Sequence, residues 1–286
     1  MSAEPLDFEP LKDEERGLFC DADLEILSFF ESAVASSSPD TVDEAANHFV
    51  NQLIIAGAGK QSPAEAEGLT ATTWQVLIHI ASRIPCRHYG QDILVKIIGI
   101  LNAAEGPWKE LPGIMICLRD IWNESPTYEP DPEGDRTFTL DEWLNLNSFV
   151  ARLFGTSTKG FGNFAIWELR NGLEEDDEET RSAAIRDNRV RVACEWVLQG
   201  GRRLLRESSL NSFTTEPEDA AHGSPFRAGP LFSGSRGYNL ERWGFWKRRL
   251  VESRGRVSDP VQASIDGAVG MMTAVEREVA KTCWEV

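Results

Sequence analysis

Helical spacing of apolar residues is the feature of this sequence that most restricts its fold. Over most of the chain the apolar side chains recur every three to four residues, and the alternation typical of strands is almost absent. Proline and glycine separate the periodic segments. We therefore predict an all-α fold, a single multi-helix domain of about ten helices packed as helical hairpins.

The two ends of the predicted domain differ in character from its middle. Residues 1–20 carry charges and two prolines, and they lack the basic start and apolar run of a signal peptide, so we predict a flexible N-terminal arm. Residues 21–286 form the predicted all-helical domain. Within it, residues 208–238 form a predicted long loop, and long loops without a hydrophobic period are typically functional or disordered.

Cysteine usage and hydropathy indicate a cytoplasmic protein. The five cysteines are widely spaced and include no Cys-x-x-Cys pair, which argues against a disulfide framework and a zinc site. No segment approaches the roughly 18 consecutive apolar residues of a membrane span, so we expect no membrane partner. The histidines add no ligand spacing, and no nucleotide-binding motif is present, so we predict neither a metal nor a cofactor.

The net charge of −17 is unevenly distributed along the chain. Residues 1–180 hold 12 basic and 33 acidic side chains, whereas residues 181–286 hold 17 and 13. This balance argues against nucleic-acid binding by the whole surface, because phosphate recognition needs a positive footprint. Either the last third contains a local site for an anion, or its positive charge complements the acidic part of the chain. The acidic run at 174–179 resembles the magnesium motif of class I terpene cyclases only loosely, and we interpret it as a solvated linker.

The most specific stretch is a glycine-rich loop followed by a basic helix with two tryptophans, residues 229–250. On a helical wheel Trp243 and Trp246 share an apolar arc with Leu240, Leu250 and Val251. Lys247 falls inside this arc. Either its stem packs along the indole rings while the ammonium reaches water, or it is desolvated or faces a ligand, in which case burial would lower its pKa.

Two further polar residues lie on apolar helix faces. Asn147 is in the middle of the apolar arc of the helix that begins at Thr139, and it either holds a loop backbone group or points into a ligand cavity. Glu276 has apolar neighbours in the last helix. In an antiparallel hairpin Lys247 would lie about 9 Å from the turn and Glu276 about 24 Å, so we predict that Glu276 pairs with Arg236 instead and anchors the glycine loop.

Several motifs resemble those of a fungal family of uncharacterised proteins, a domain of unknown function. They are Trp143-Leu-Asn-Leu-Asn-Ser-Phe149, Cys194-Glu-Trp196, and Gly229-Pro-Leu followed by Glu241-Arg-Trp-Gly-Phe-Trp-Lys247. The resemblance covers most of the chain from about residue 20 and implies a fungal, mostly helical, intracellular protein. It implies no activity and no catalytic residue.

Two functions from different classes remain open. The first is a binding module that takes an anionic metabolite or an acidic protein segment through its aromatic and basic C-terminal region. The second is a cofactor-free enzyme of fungal secondary metabolism, of cyclase, isomerase or transferase type, acting in a tryptophan-lined pocket. The candidate ligand-binding residues are Lys247, Trp243, Trp246, Asn147, Glu276, Arg236, Arg242 and Tyr238. Convergence of Lys247, Asn147 and Glu276 on one cavity would favour the enzyme.

Overall fold

The structure is a computed structural model that describes residues 6–12, 19–57, 62–126, 138–156, 160–176, 182–214 and 225–284. These residues form eleven α-helices and no strand, which confirms the predicted all-α fold. The helices are α1 Glu9–Lys12, α2 Asp21–Ala35, α3 Val42–Gly57, α4 Pro63–Arg83, α5 Gly90–Ala103, α6 Ile114–Trp122, α7 Leu140–Gly155, α8 Gly162–Leu173, α9 Ala183–Ser209, α10 Leu240–Ser253 and α11 Asp259–Trp284. A 3₁₀ turn at Arg254–Arg256 lies between the last two.

Two helices begin where the capping pattern of the sequence predicts. Ser62 accepts a hydrogen bond from the Glu65 backbone, and the Glu65 carboxylate accepts one from the Ser62 backbone. Thr139 and Glu142 form the same reciprocal pair before α7. Each pair satisfies two backbone N–H groups that a helix start would otherwise leave without partners.

The start of α3 differs from the sequence expectation. Ser38 followed by proline predicts a helix from that point, but α3 begins at Val42. The Ser38 backbone N–H donates to Thr41 Oγ1, and the Thr41 N–H donates back to the Ser38 carbonyl. Ser38 and Thr41 thus form a hydrogen-bonded turn that ends directly before α3, instead of the first turn of the helix.

The chain divides into two compact units, described separately below. Unit 1 comprises residues 1–126 and 133–149, and unit 2 comprises residues 127–132 and 150–286. The prediction of one domain over residues 21–286 stays a prediction.

Unit 1 is a set of packed helices in which α3 lies against α5 and α2, and α4 contacts α2 and α6. Its core includes Trp74 and Phe49, both fully buried. Part of the predicted flexible arm belongs to this core: Phe8 and Leu11 are buried, and the Phe8 ring meets the Phe30 ring edge-on at 5.8 Å. Two buried apolar side chains thus attach residues 6–12 to the unit, and the flexibility of residues 1–20 stays a prediction.

Unit 2 is built around the long helix α9, which packs most extensively against α11 and α8. The approach of α8 to α9 depends on Gly172, where an added Cβ would lie 2.6 Å from the Arg189 carbonyl oxygen. The glycine therefore allows the two backbones to come closer than any side chain would permit. In the described part of the chain, no helix is both long and apolar enough to cross a membrane.

Candidate functional site

A buried ion pair organises the C-terminal part of unit 2. Glu174, the residue that follows α8, and Arg242, in the first turn of α10, are both 0% exposed. Arg242 Nε lies 2.7 Å from Glu174 Oε1, and a second bond of 3.0 Å joins its terminal nitrogen to Oε2. This two-point contact matches the planar fork of a guanidinium to a carboxylate.

Every hydrogen-bonding position of this pair is occupied. The Arg242 guanidinium also donates to the backbone carbonyls of Phe226, Arg227 and Gly237, at 3.1, 2.9 and 2.9 Å, so its five N–H groups all have acceptors. The Glu174 carboxylate additionally accepts from Trp246 Nε1 at 2.5 Å and the Gly229 backbone N–H at 2.7 Å. Such completeness offsets the desolvation cost that buried charges carry.

We refer to Glu174, Arg242, Trp246 and Gly229 as the buried cluster. It ties three separate pieces of chain together: the end of α8, the first half of α10 and the described segment 225–238. Gly229 allows the closest contact, since a Cβ there would lie 2.6 Å from Glu174 Cβ. The Leu231 N–H also donates to the Glu174 backbone carbonyl at 3.0 Å. The acidic run is therefore not solvated throughout, because its first member is a core residue.

Tyr238 anchors the end of the same segment in the core. It is fully buried, its hydroxyl donates to the Gly162 carbonyl at 2.6 Å, and its ring packs near those of Phe154 and Trp246. Burial raises the pKa of the Tyr238 hydroxyl above its ordinary value. Among the eight candidate ligand-binding residues, Tyr238, Arg242 and Trp246 are thus buried core groups.

Lys247 pairs with Glu276, which corrects the predicted Glu276–Arg236 pair. Lys247 Nζ lies 2.5 Å from Glu276 Oε2, and Trp243 Nε1 donates to Oε1 at 2.8 Å. The Lys247 side chain remains 27% exposed, so its stem packs against the helices while its ammonium stays near water. Arg236 is half-buried in the 225–238 segment, which hydrogen bonds to Arg242 and Glu174 anchor.

The prediction against a Lys247–Glu276 pair was wrong because of the register of the two helices. The distances of about 9 and 24 Å assumed that the end of α10 lies level with the start of α11. Arg254, just after α10, instead forms a two-point contact with Asp266, seven residues into α11. Seven residues of helix correspond to about 10 Å, so Lys247 lies level with a later part of α11 than a simple hairpin allows.

Asn147 belongs to unit 1 and is fully buried, with its side-chain amide donating to the Trp143 carbonyl of the same helix at 2.9 Å. Asn145, two residues earlier on the same helix, holds a loop backbone. That side chain accepts from the Cys86 N–H at 2.9 Å and donates to the Ser82 carbonyl at 3.0 Å. The turn between α4 and α5 is fixed in this way, which is a structural role.

A cleft of about 490 Å³ opens in unit 2 beside the buried cluster. Arg186 of α9, Arg249 of α10 and Arg256 of the 3₁₀ turn line it. The opposite charge comes from Glu175 and Asp176, which follow Glu174 directly. Gly172, Val190, Ser253 and Val257 complete the lining.

Arg249 and Arg186, two of the three cleft arginines, differ in their hydrogen bonds. Arg249 Nε donates to the Leu173 carbonyl at 3.1 Å, and its terminal nitrogen donates to Glu252 at 3.0 Å, so Arg249 supports the fold. Arg186 Nε is buried and has no hydrogen-bond partner among the described residues. A buried donor without an acceptor costs free energy, and an anionic ligand atom would supply the acceptor.

A basic neighbour adds to the positive potential near this cleft. The Arg170 side chain is 13% exposed, and its Nε lies 3.7 Å from Glu175 Oε1, beyond hydrogen-bond distance. Burial, followed by the charge of Arg227, lowers the pKa of Arg170 from its ordinary value. Sequence reasoning missed Glu174, Arg170 and Arg186. Only the excess of basic residues after position 180 pointed to this region.

A smaller cavity of about 260 Å³ lies in unit 1 and includes His79, Cys117 and Asp120 in its lining. Burial, and then the charge of Asp120, raises the pKa of the Cys117 thiol. The thiol is therefore protonated at neutral pH and is a poor nucleophile. Across the described ranges, no group of three or more Cys, His, Asp or Glu side chains has the geometry of a metal site.

A comparison with known protein families identifies the family of this chain. Residues 74–250 match the family described as "Protein of unknown function (DUF3632)". The chain belongs to the DUF3632 family. No curated protein and no solved structure matches it.

The DUF3632 match includes all four residues of the buried cluster and two of the three cleft arginines. Arg256 and Glu276 lie beyond its end. The expected membership in an uncharacterised family is confirmed, whereas the fungal origin and the C-terminal signature stay predictions.

Proposed function

We propose that this protein is a binding module for a small anionic metabolite and that the cleft in unit 2 is its site. The observation that carries the proposal is the Arg186 side chain, which lines the cleft with a buried Nε that lacks a hydrogen-bond acceptor in the described part of the chain. Carboxylate and phosphate oxygens are the acceptors that a guanidinium binds best. Arg249 and Arg256 also line the cleft and carry positive charge.

The buried cluster supports the proposal because it makes one wall of the cleft rigid. Glu175 and Asp176 continue directly from Glu174, whose backbone and side chain are both fixed by hydrogen bonds. A wall that is ordered before the ligand arrives lowers the entropy cost of binding. The aromatic and basic C-terminal segment therefore contributes structure through its tryptophans and charge through Arg249 and Arg256.

The shape of the site favours a metabolite over an acidic protein segment. A volume of about 490 Å³ lies in the range of small-molecule sites. We use binding of an acidic peptide as an outcome of the test below.

The cofactor-free enzyme stays the alternative, with less support from the contacts of its three candidate residues. It required Lys247, Asn147 and Glu276 to converge on one cavity. Asn147 lies in unit 1 and donates within its own helix, whereas Lys247 and Glu276 lie in unit 2 and satisfy each other. The fungal origin, the cytoplasmic location and a place in secondary metabolism stay predictions.

Calorimetric titration of the full chain tests the proposal. The probes are citrate, inorganic phosphate, a sugar phosphate and a hexaglutamate peptide. We expect at least one small anion to bind, and Arg186→Gln to weaken that binding about tenfold, which corresponds to about 1.4 kcal/mol for a lost charge-assisted contact. A ligand present at 100 times its Kd also raises the unfolding free energy by about 2.7 kcal/mol.

Arg202→Gln is the matched control. This arginine is also on α9, but it is 75% exposed, pairs with Glu278 and lies outside the cleft lining. Binding that falls equally in both variants reflects net charge alone and contradicts the proposal. Binding of the peptide but of no small anion would replace the metabolite by a protein segment.

A further inference from the structure

The charges that line the cleft have both signs, and they are arranged on different pieces of chain. Asp176 and Glu175 come from the end of α8, and Arg186 comes from the first turn of α9. An anion-binding site would gain affinity from arginines alone. The acidic residues lower the affinity for a simple anion by like-charge repulsion, so they need a separate explanation.

Most of the other charges near the cleft are already compensated. Arg249 is held by the Leu173 carbonyl and Glu252, and Glu175 is within 3.7 Å of Arg170. Asp176 is exposed, and neither a hydrogen bond nor an ion pair joins it to Arg186 or to another residue that the structure describes. Arg186 and Asp176 therefore line one cleft with opposite charges that do not neutralise each other.

A ligand with two opposite charges would satisfy both residues at once. Its carboxylate would accept hydrogen bonds from Arg186, including the buried Nε, and its ammonium group would approach Asp176 and Glu175. The apolar side chains of Val190 and Val257, which also line the cleft, suit a short hydrocarbon part between the two charges. Such a ligand avoids the repulsion that a dianion meets at the acidic wall.

We infer that the natural ligand of the cleft is zwitterionic, a small amino-acid-like molecule with a carboxylate for Arg186 and an ammonium group for Asp176. The inference rests on the proposed function: it keeps the anionic group that Arg186 would bind and adds an ammonium group to the same ligand. It follows from the juxtaposition of two unpaired opposite charges in one cavity of small-molecule size.

A matched series of probes tests the inference by NMR titration of the full chain. The series contains ω-amino acids of four, six and eight carbons, the carboxylic acids of the same lengths and the corresponding alkylamines. We expect the best amino acid to bind about tenfold more tightly than the acid or the amine of its length, since each loses one charge-assisted contact.

Two variants assign the two ends of the ligand. Arg186→Gln should reduce the affinity for the amino acid to that for the amine, and Asp176→Asn should reduce it to that for the carboxylic acid. Arg202→Gln and Glu278→Gln are the controls, because these two residues pair with each other outside the cleft lining and should leave binding unchanged.

The outcomes separate this inference from the proposed function. If the carboxylic acid binds as tightly as the amino acid and Arg186→Gln weakens both, the site takes an anion and the zwitterion is wrong. If no probe of this series binds while a small anion of the calorimetric series does, the zwitterion is wrong and the proposed function stands. If neither series binds, both proposals are wrong. An amino-acid preference that persists in Asp176→Asn also contradicts the inference.

Discussion

Two ion pairs of α10 show how burial changes the role of the same chemistry. Arg242 and Glu174 are 0% exposed, and every donor and acceptor position has a partner. Lys247 and Glu276, one turn further along, keep 27% and 36% of their side chains exposed. The first pair fixes three pieces of chain, whereas the second joins only α10 to α11.

The difference shows which ion pair the fold of unit 2 depends on. Water screens a half-exposed pair and solvates either partner when the other is lost, so such a pair contributes little. A buried pair leaves an uncompensated charge in the core when one partner is removed. The buried cluster is therefore the sensitive point of unit 2, and the Lys247–Glu276 pair is not.

Arg242→Met should cause the largest effect. It leaves the Glu174 carboxylate buried without its cation, and it frees the Phe226, Arg227 and Gly237 carbonyls. We expect a loss of about 3–5 kcal/mol in the free energy of unfolding, measured by urea denaturation. Adding Glu174→Gln, which removes the charge but keeps an oxygen for the Gly229 N–H, should restore part of this loss.

The exposed Arg202–Glu278 pair, which joins α9 to α11, supplies the control for this prediction. Arg202→Met should cost less than about 1 kcal/mol, because Arg202 is 75% exposed. Equal losses in Arg242→Met and Arg202→Met would show that burial does not separate the two kinds of pair.

Gly229→Ala should have the next largest effect, because its Cβ would lie 2.6 Å from Glu174 Cβ and 2.8 Å from the Glu174 carbonyl oxygen. Forcing an atom into such a contact costs about 1–3 kcal/mol and should increase cleavage of the 225–238 segment by limited proteolysis.

Gly244→Ala is the matched substitution in α10, where the nearest atom outside the helix backbone is 3.9 Å from the added Cβ. It should stabilise the protein by about 0.5–1 kcal/mol, because alanine favours a helix interior. If both alanine variants are equally stable, the close approach at Gly229 does not support the cluster.

Tyr238→Phe tests the burial of the C-terminal part of unit 2 through the pH dependence of the unfolding free energy. At neutral pH the loss of the hydrogen bond to the Gly162 carbonyl should cost about 1 kcal/mol. Burial raises the pKa of Tyr238 in the folded state. The unfolded chain therefore releases this proton near pH 10 while the folded chain keeps it, so the stability of the native protein falls as pH rises above about 10.

The phenylalanine variant lacks this proton. The difference in unfolding free energy between the two proteins should shrink above about pH 10, by up to about 1.4 kcal/mol per pH unit, in urea titrations at pH 9 and pH 11. A constant difference across that range would contradict the assigned burial of the hydroxyl.

Lys247→Met should have the smallest effect, less than about 1 kcal/mol, because the pair that it breaks is half-exposed. The Glu276 carboxylate keeps its hydrogen bond from Trp243 Nε1 and its access to water. Proteolysis of the 225–238 segment should not change. A loss as large as that of Arg242→Met would remove the distinction between the two pairs.

The helices could be predicted because their signals are local. The capping boxes that the sequence predicts at Ser62 and Thr139 are present in the structure. The apolar spacing predicts helices at 163–173, 185–207, 239–252 and 260–282, and the ends of α8 to α11 lie within two residues of these bounds. A helix depends on bonds between residues four apart, so periodicity and caps are sufficient evidence.

The buried face of α10 was predicted only in part. Trp243, Trp246 and Leu250 are buried as expected, but Leu240 and Val251 are each 55% exposed. A helical wheel gives the angle of each side chain but not the arc that neighbouring helices cover. The covered arc here extends to Arg242, which is fully buried, and Phe245 is half-buried against Phe232.

By itself the sequence determined the all-helical fold, the positions of most helices and the positive balance of the last third, because these follow from local spacing and composition. Only the tertiary structure decided which charges are buried and which partners they have. Glu174 and Arg242 are 68 residues apart, and Lys247 and Glu276 are 29 apart. Burial of the Arg242 side chain depends on a carboxylate and carbonyls that are distant in sequence and accept its hydrogen bonds. The residues next to Arg242 in the sequence do not indicate that these acceptors are present.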